Sequence, residues 1–275
     1  MLDLPEPEDD GLLIPEVGEW SKDKHHFLLR YIDAFTTAMR NKHWQGLHYI
    51  DLFAGAGIER LKRSHRLDWG SPLIAAQARY PFAGLHLCEK DPQKHRALEA
   101  RLNRLASAPS FRALVGDANE EVAEIVGKIR PKSLSLAFLD PYGLHLDYST
   151  LESLAGIRAD LVIYFPDRVD ADRNWRAYYW DNPDSNLDRV LGPGVDWRTE
   201  LAQAPARRRT ERLLRAYQSQ ISQLGYTEFE WEAIPSSGAR LYWLIFCSRH
   251  KAGSTIWRGI AQKKPDSQQT FDFGP

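Results

Sequence analysis

Between residues 21 and 40 apolar side chains return every three or four positions, at Phe27, Leu28, Tyr31, Ile32 and Phe35. That spacing places them on one face of an α-helix. Beyond it the rhythm changes. Short apolar runs, LHYIDLFAG, GLHLCE, FRALVGD, SLSLAFLD and ADLVIYFP, alternate with stretches of helical spacing. One such stretch carries Leu98, Leu102 and Leu105, another Val122, Ile125, Val126 and Ile129. Ser71-Pro72 and Asp91-Pro92 each supply a cap followed by a first-turn proline, and Pro81 closes the first of these two helices. Strands alternating with helices predict a parallel sheet covered on both faces.

The last third adds a different signal. Residues 166–205 hold Trp175, Trp180 and Trp197 with little periodicity and read as an insertion. The helix that follows turns Leu213, Leu214, Tyr217, Ile221 and Leu224 inward and stops at Gly225. EFEWEAI then alternates strictly, with Glu228, Glu230 and Glu232 on a wet face, whereas RLYWLIF is apolar on both faces. A strand of the second kind must be covered on both sides, so it is expected to return antiparallel and insert beside the fifth strand. The expected fold is α/β: a mostly parallel seven-stranded sheet with a C-terminal antiparallel strand and helices on both faces. This is the layout of class I methyltransferases, and plain dinucleotide-binding domains lack the terminal hairpin. Residues 1–18 read as a flexible acidic leader and 19–262 as a single domain, with its N-terminal helix at 21–40 and the insertion at 166–205. Residues 263–275 read as a tail.

With 275 residues, 43% of them apolar and 27% charged, the chain has the composition of a globular protein with a large core. It contains no run of about 18 apolar residues that would span a membrane. Its acidic, proline-rich start is the opposite of a signal peptide, so a cytoplasmic protein is expected. Cys88 and Cys247, each in an apolar run, read as reduced core residues, and no Cys or His pair has metal-site spacing. A net charge of −1 gives no general attraction to nucleic acid, but two basic patches stand out, ERLKRSHR at 59–66 and ARRRTERLLR at 206–215. Either patch reads as solvated charge or, for Arg60, Lys62, Arg63 and Arg66 in the first, as a phosphate-contacting loop.

In an open α/β sheet, ligands bind where strands deliver their carboxyl ends. The first strand end is Asp51-Leu-Phe53-Ala-Gly55-Ala-Gly57, whose glycines permit close approach to backbone. The dinucleotide fingerprint needs a third glycine where Arg60 stands, which argues against NAD or FAD. The second ends in Glu89, suited to a ribose diol. The third ends in Asp117-Ala118, where the acid either meets an adenine amino group or caps the next helix. The fourth ends in Asp140-Pro141-Tyr142-Gly143. Acids at four strand ends together fit S-adenosyl-L-methionine (SAM).

The motifs YIDLFAGAG, GSPLIAA, LCEKD, VGDAN and AFLDPYG, in that order and after EWSKDKHHFLLRYIDAF, resemble the three-Cys-motif partner (TcmP) proteins over roughly residues 19–261. The resemblance implies the class I methyltransferase fold, a SAM site on Asp51, Gly55, Gly57, Glu89 and Asp117, with Phe53 and Ala118 beside it, and a separate three-cysteine-motif protein as partner. Asp140-Pro141-Tyr142 is similar to the Asp/Asn-Pro-Pro-Tyr/Phe of nucleic-acid amino-methyltransferases, in which the acid and a proline carbonyl accept from the target amine and the aromatic ring stacks on the base. With one proline it stands nearer the Asp-Pro-Phe-Gly of tRNA guanine-N2 methyltransferases. The simpler reading makes Asp140 a turn cap and packs Tyr142 beside the cofactor. Trp20 and Lys24 of the first helix are expected to close the pocket, and Arg168 to reach an anionic substrate. The expected function is methyl transfer from SAM to an acceptor amine, in an RNA or DNA base. The alternative is a non-catalytic SAM-binding subunit serving its partner.

Overall fold

The apolar runs form the strands at the centre of the molecule because their side chains are covered from both sides: every residue of Gly84–Glu89 and Leu134–Leu139 is buried. The computed structural model describes residues 4–106, 108–166, 179–205, 208–236 and 240–261, without the side chains of 166, 235, 236, 240 and 241. In chain order the elements begin β1 (Glu16–Val17), α1 (Trp20–Met39), β2 (Leu47–Asp51), β3 (Ile58–Leu61), β4 (Leu67–Trp69) and α2 (Ser71–Ala76). Next come β5 (Gly84–Glu89), α3 (Pro92–Arg104), β6 (Phe111–Val115), α4 (Ala118–Gly127), β7 (Leu134–Leu139), α5 (Tyr148–Ala155) and β8 (Ala159–Pro166). The last are α6 (Asn186–Leu191), α7 (Trp197–Ala202), α8 (Arg209–Gln223), β9 (Glu228–Ser236), β10 (Arg240–Ser248) and α9 (Lys251–Ala261).

Seven strands form one sheet in the order β6-β5-β2-β7-β8-β10-β9. The first five are parallel; β10 runs antiparallel to both β8 and β9. This is the class I methyltransferase arrangement, and β10 occupies the slot that its two-sided apolar pattern requires. Trp243, Ile245 and Cys247 pack into the core under α4 to α8, while Tyr242, Leu244 and Phe246 pack into the opposite core with α1, α2, α3 and α9. Cys88 and Cys247 are both free and buried. No helix among the described residues is long and apolar enough to cross a membrane.

Several expectations need correction. The described part of the leader, residues 4–18, is bonded to the domain. Arg101, buried on α3, donates to the Asp10 carboxylate at 2.7 and 2.9 Å and to the carbonyls of Leu13 and Ala56. A guanidinium withdrawn from water must find such acceptors, and the leader supplies them. Trp69 Nε1 donates to the Pro5 carbonyl at 2.6 Å, and β1 pairs parallel with β3. ERLKRSHR is a hairpin turn between β3 and β4 rather than an open loop. Helix α2 is capped by Gly70 and ends at Ala76, short of Pro81; Ser71 turns its hydroxyl to Asp51 instead of capping. Glu232, expected to be wet, is buried. The described part of the insertion contains α6 and α7, held by Arg198 on Asp188 at 2.6 Å. Arg168, Trp175 and the tail 263–275 lie outside the described residues.

If the leader is held chiefly by the buried guanidinium, Arg101→Ala should cost about 3 kcal/mol, as for a broken buried pair. It should also expose residues 4–18 to protease. Denaturant unfolding and limited proteolysis read the two effects, and a leader as resistant in the variant as in the native protein would place the anchor elsewhere.

Candidate active site

Adjacent parallel strands end at the same level of a sheet, so β2, β5, β6 and β7 bring Asp51, Glu89, Asp117 and Asp140 to one rim. Asp51 is fully buried and accepts from Tyr49 Oη at 3.1 Å, from the Phe53 N–H at 3.2 Å and from Ser71. Burial outweighs these donors and raises its pKa to about 7. Glu89 accepts one backbone N–H on each oxygen, Gly55 at 2.7 Å and Asp91 at 2.8 Å. A carboxylate offers about four lone-pair sites, so two acceptor positions remain for a diol. Asp117 caps α4 through the Asn119 N–H at 2.9 Å and receives Lys90 Nζ at 2.9 Å. Its helix-capping reading is thus realised. Ala118 is buried at the first turn of that helix, and Phe53 is half-buried at the β2 exit.

The two glycines divide their work. Gly55 has φ +64° and nothing within 4 Å of where a Cβ would stand, so its backbone faces open space. Gly57 has φ +87°, but a Cβ there would meet Leu73 and Leu98 at 3.0–3.1 Å. Its demand comes from the protein's own core, not from ligand approach. Gly70 lies against the Gly57 backbone and donates to its carbonyl at 2.8 Å.

At the β7 end, Asp140 Oδ2 is ion-paired with Lys24 Nζ from α1. Lys24 is 6% exposed. Burial alone would lower its pKa, but the carboxylates of Asp140 and Glu59 prevail and raise it, keeping the ammonium charged. Oδ1 of Asp140 has no protein donor among the described residues. Lys24 Nζ also lies 5.4 Å from the centroid of the Tyr164 ring. That ring stacks on Tyr242 at 4.9 Å, and Tyr242 on Trp20 at 5.6 Å, both pairs inclined by 19°. Trp20 and Lys24 of α1 thus wall the Asp140 corner. Tyr142 is 94% exposed beside it, with Gly143 at φ +85° making the turn, so Tyr142 does not pack into the protein. The following loop is clamped by Asn119, which donates to the His145 carbonyl at 3.1 Å and accepts from the Asp147 N–H and the Thr150 hydroxyl.

Two of the four cations in the basic loop are already ion-paired. Arg60 pairs with Asp9 at 2.8 Å and Arg66 with Glu6 at 2.7 Å. Glu19 accepts from the backbone N–H groups of Arg63 and Ser64. Lys62 is exposed. In the second patch Arg215 pairs with Glu211 one turn away on α8. Sequence reasoning missed Glu59, Ser71, Asn119, Tyr164 and Tyr242. Glu59 accepts from Ser21 Oγ at 2.5 Å and lies 3.9 Å from His25. Its charge was visible within the basic run, whereas the tyrosines carried only a core-strand signal. No group of three or more metal-ligating side chains stands together among the described residues.

No family model and no curated protein matches the chain. Solved structures similar to it include protein LPL1258 from Legionella pneumophila, at 14% identity and a TM-score of 0.49, covering 86% of this chain and 90% of that one. Trm1 from Pyrococcus horikoshii, in complex with S-adenosyl-L-methionine, is similar at 14% identity and a TM-score of 0.48, over 92% of this chain and 64% of its own. Magnesium protoporphyrin IX methyltransferase from Synechocystis, with bound SAM, is similar at 11% identity and a TM-score of 0.41, over 82% and 81%. The fold assignment rests on the strand order and register of this chain itself.

Two predictions follow from this geometry. Gly57→Ala should destabilise the fold by about 1–3 kcal/mol through crowding and a left-handed backbone, whereas Gly55→Ala should cost about 1 kcal/mol from backbone conformation alone. Equal losses in denaturant unfolding would refute the division. For Asp51, the folded pKa of about 7 exceeds the ordinary 3.8. The folded state therefore holds a proton that the unfolded state has released, and stability falls as pH rises from 3.8 to about 7. Melting temperature against pH should slope less over that window in Asp51→Asn than in the native protein, and parallel curves would refute the assignment.

Proposed function

We propose that the chain is a SAM-dependent methyltransferase of the three-Cys-motif partner type, transferring a methyl group to an acceptor amine in a nucleic-acid base. The observation that carries this reading is the row of carboxylates on four adjacent strand ends around a glycine turn open at Gly55. The donor set fits the cofactor. Glu89 keeps two acceptor positions for the ribose diol, Gly55 admits the ligand to the backbone, and Asp117 lies one strand further along, towards the adenine.

Bound SAM supplies a methyl group on a positively charged sulfur. The residues of the chain do the rest. Asp140 accepts from the target amine on Oδ1 while Lys24 holds Oδ2, which fixes the carboxylate in direction. The Pro141 carbonyl is the second acceptor, and no backbone N–H among the described residues donates to it. Two acceptors draw the amine towards a pyramidal nitrogen whose lone pair is available, and Asp140 accepts its hydrogen bond as positive charge develops there. Tyr142, exposed at the mouth, offers a face on which a flipped or single-stranded base stacks. A nucleic-acid acceptor must also displace Glu6 and Asp9 from Arg66 and Arg60, exposed ion pairs that are weakly held.

Labelled SAM incubated with separate RNA, DNA and protein pools, with and without a three-Cys-motif protein, tests the reading. Asp140→Asn should lower transfer about a hundredfold and leave SAM affinity nearly intact, because its amide turns a donor towards the amine. Glu89→Ala should weaken SAM binding by about 1–3 kcal/mol. Undiminished transfer by Asp140→Asn would sink the amine mechanism. SAM binding without transfer to any pool would instead favour the non-catalytic subunit.

A further inference from the structure

On the side of the sheet away from Asp140, the starts of β7, β8 and β9 and the end of β10 border an open cavity of about 870 Å³. Its floor is apolar, made by Met39, Trp44 and Leu134. Its rim is cationic, with Lys42 from the turn after α1, Arg158 before β8, and Arg249 and Lys251 at the passage from β10 into α9. His43 and His250 stand among them. Two acids also line it, and both are already engaged. Asp160 accepts from Tyr31 Oη at 3.0 Å and Ser248 Oγ at 2.7 Å; Glu228 accepts from Ser254 Oγ at 2.7 Å and faces Arg258 at 3.9 Å.

The cations are less occupied. Arg249 donates to the carbonyls of Ala155, Ile157 and Leu224, so it is bonded but not neutralised by a carboxylate. Lys42, Arg158 and Lys251 are exposed and have no ion pair among the described residues, although Arg158 lies 5.8 Å from the centroid of the Trp44 ring. In a chain of net charge −1, four cations against the two carboxylates of Asp160 and Glu228 make a local excess of positive charge rather than a consequence of composition. Two further features point the same way. The first turn of the eleven-residue α9 contributes Lys251, Ala252 and Gly253 to the wall, the electropositive end of a helix. The Trp44 ring also lines the wall beside the Arg158 guanidinium, so a cation and an aromatic ring stand side by side.

We propose that this cavity binds a nucleoside phosphate, with the phosphate between Lys42, Arg158 and Lys251 and the base on the apolar floor beside Trp44. The cavity volume lies within the range of small-ligand sites. Trp44 provides an aromatic wall beside Arg158, and the α9 terminus and the rim cations together suit a doubly charged anion. The same chemistry comes from a free nucleotide or from one unit of a nucleic-acid strand. Neither source depends on methyl transfer, because the cavity shares no residue with the Asp140 corner.

The test titrates the full chain, with SAM present at saturation so that the cofactor pocket does not compete, with guanosine triphosphate and separately with a single-stranded oligonucleotide. Lys42→Glu combined with Lys251→Glu should weaken binding of whichever probe is taken up by at least about tenfold, since two charge-assisted contacts become repulsive. Both positions are exposed, so folding should be unaffected, and SAM affinity should not change. Trp44→Phe should weaken binding further and abolish any change in indole fluorescence that the probe causes at that site. Tight guanosine triphosphate binding identifies a free nucleotide as the source. Binding confined to the oligonucleotide, and lost between about 50 and 200 mM salt, identifies a strand. The proposal is overturned if neither probe binds below millimolar concentration in low salt, or if the charge reversals leave both affinities unaltered. Failure of SAM to bind would count against the methyltransferase reading and leave this outcome readable from the charge reversals alone.

Discussion

A buried ammonium cannot stand without a carboxylate, and the arrangement of the rim follows from how Lys24 meets that requirement. Lys24 projects from α1, which precedes the sheet, and pairs with Asp140 at the far end of β7. Glu59 on β3 adds a second negative charge nearby, fixed by Ser21. Separating α1 from the sheet would therefore strand a positive charge and two negative ones in a poorly solvated place. The helix is held where its Trp20 can stack, Asp140 is held with one oxygen free, and the β3–β4 hairpin is drawn in beside them.

The glycine turn is governed by a second constraint of the same kind. Glu89 ties Gly55 to the start of α3 by accepting the N–H groups of Gly55 and Asp91, so the turn after β2 and the helix after β5 move as one piece. Gly57 and Gly70 allow the two backbones beneath to touch. The turn is rigid because core side chains crowd one glycine, and receptive because open space fronts the other. Pre-organisation of this sort reduces the ordering cost that binding would otherwise carry.

Much of this was legible in the residues. Periodicity located α1, the parallel strands and the two-sided β10, because burial on one face or two leaves its mark on adjacent positions. The acids at the strand ends were legible for the same reason, each ending an apolar run. What was not legible depended on contacts between distant segments. Nothing in the leader's composition says that Asp10 finds a guanidinium on α3, and an acidic, proline-rich stretch with no such partner would indeed be free. The hairpin in ERLKRSHR was hidden by its charge, since its strands are short and one of them pairs with only two leader residues. Gly57 illustrates a subtler miss: a glycine in a ligand loop invites a ligand explanation, yet the nearest atoms to its missing side chain belong to Leu73 and Leu98.

The stack of Trp20, Tyr242 and Tyr164 has a consequence for how the molecule is made. The strand-end carboxylates all come from the first 140 residues of the sequence, and the parallel strands that carry them can pair before the later strands are made. The wall beside them cannot be finished then, because its middle ring belongs to β10, which must be slotted between β8 and β9 after nearly all the preceding chain has been synthesised. Until that insertion, Trp20 and Tyr164 lack the ring that joins them, and the Asp140 corner stands open on that side. A nascent or truncated chain would thus possess the strand-end carboxylates without the wall of rings beside Asp140, so the order of synthesis itself delays completion of that corner until the sheet is closed.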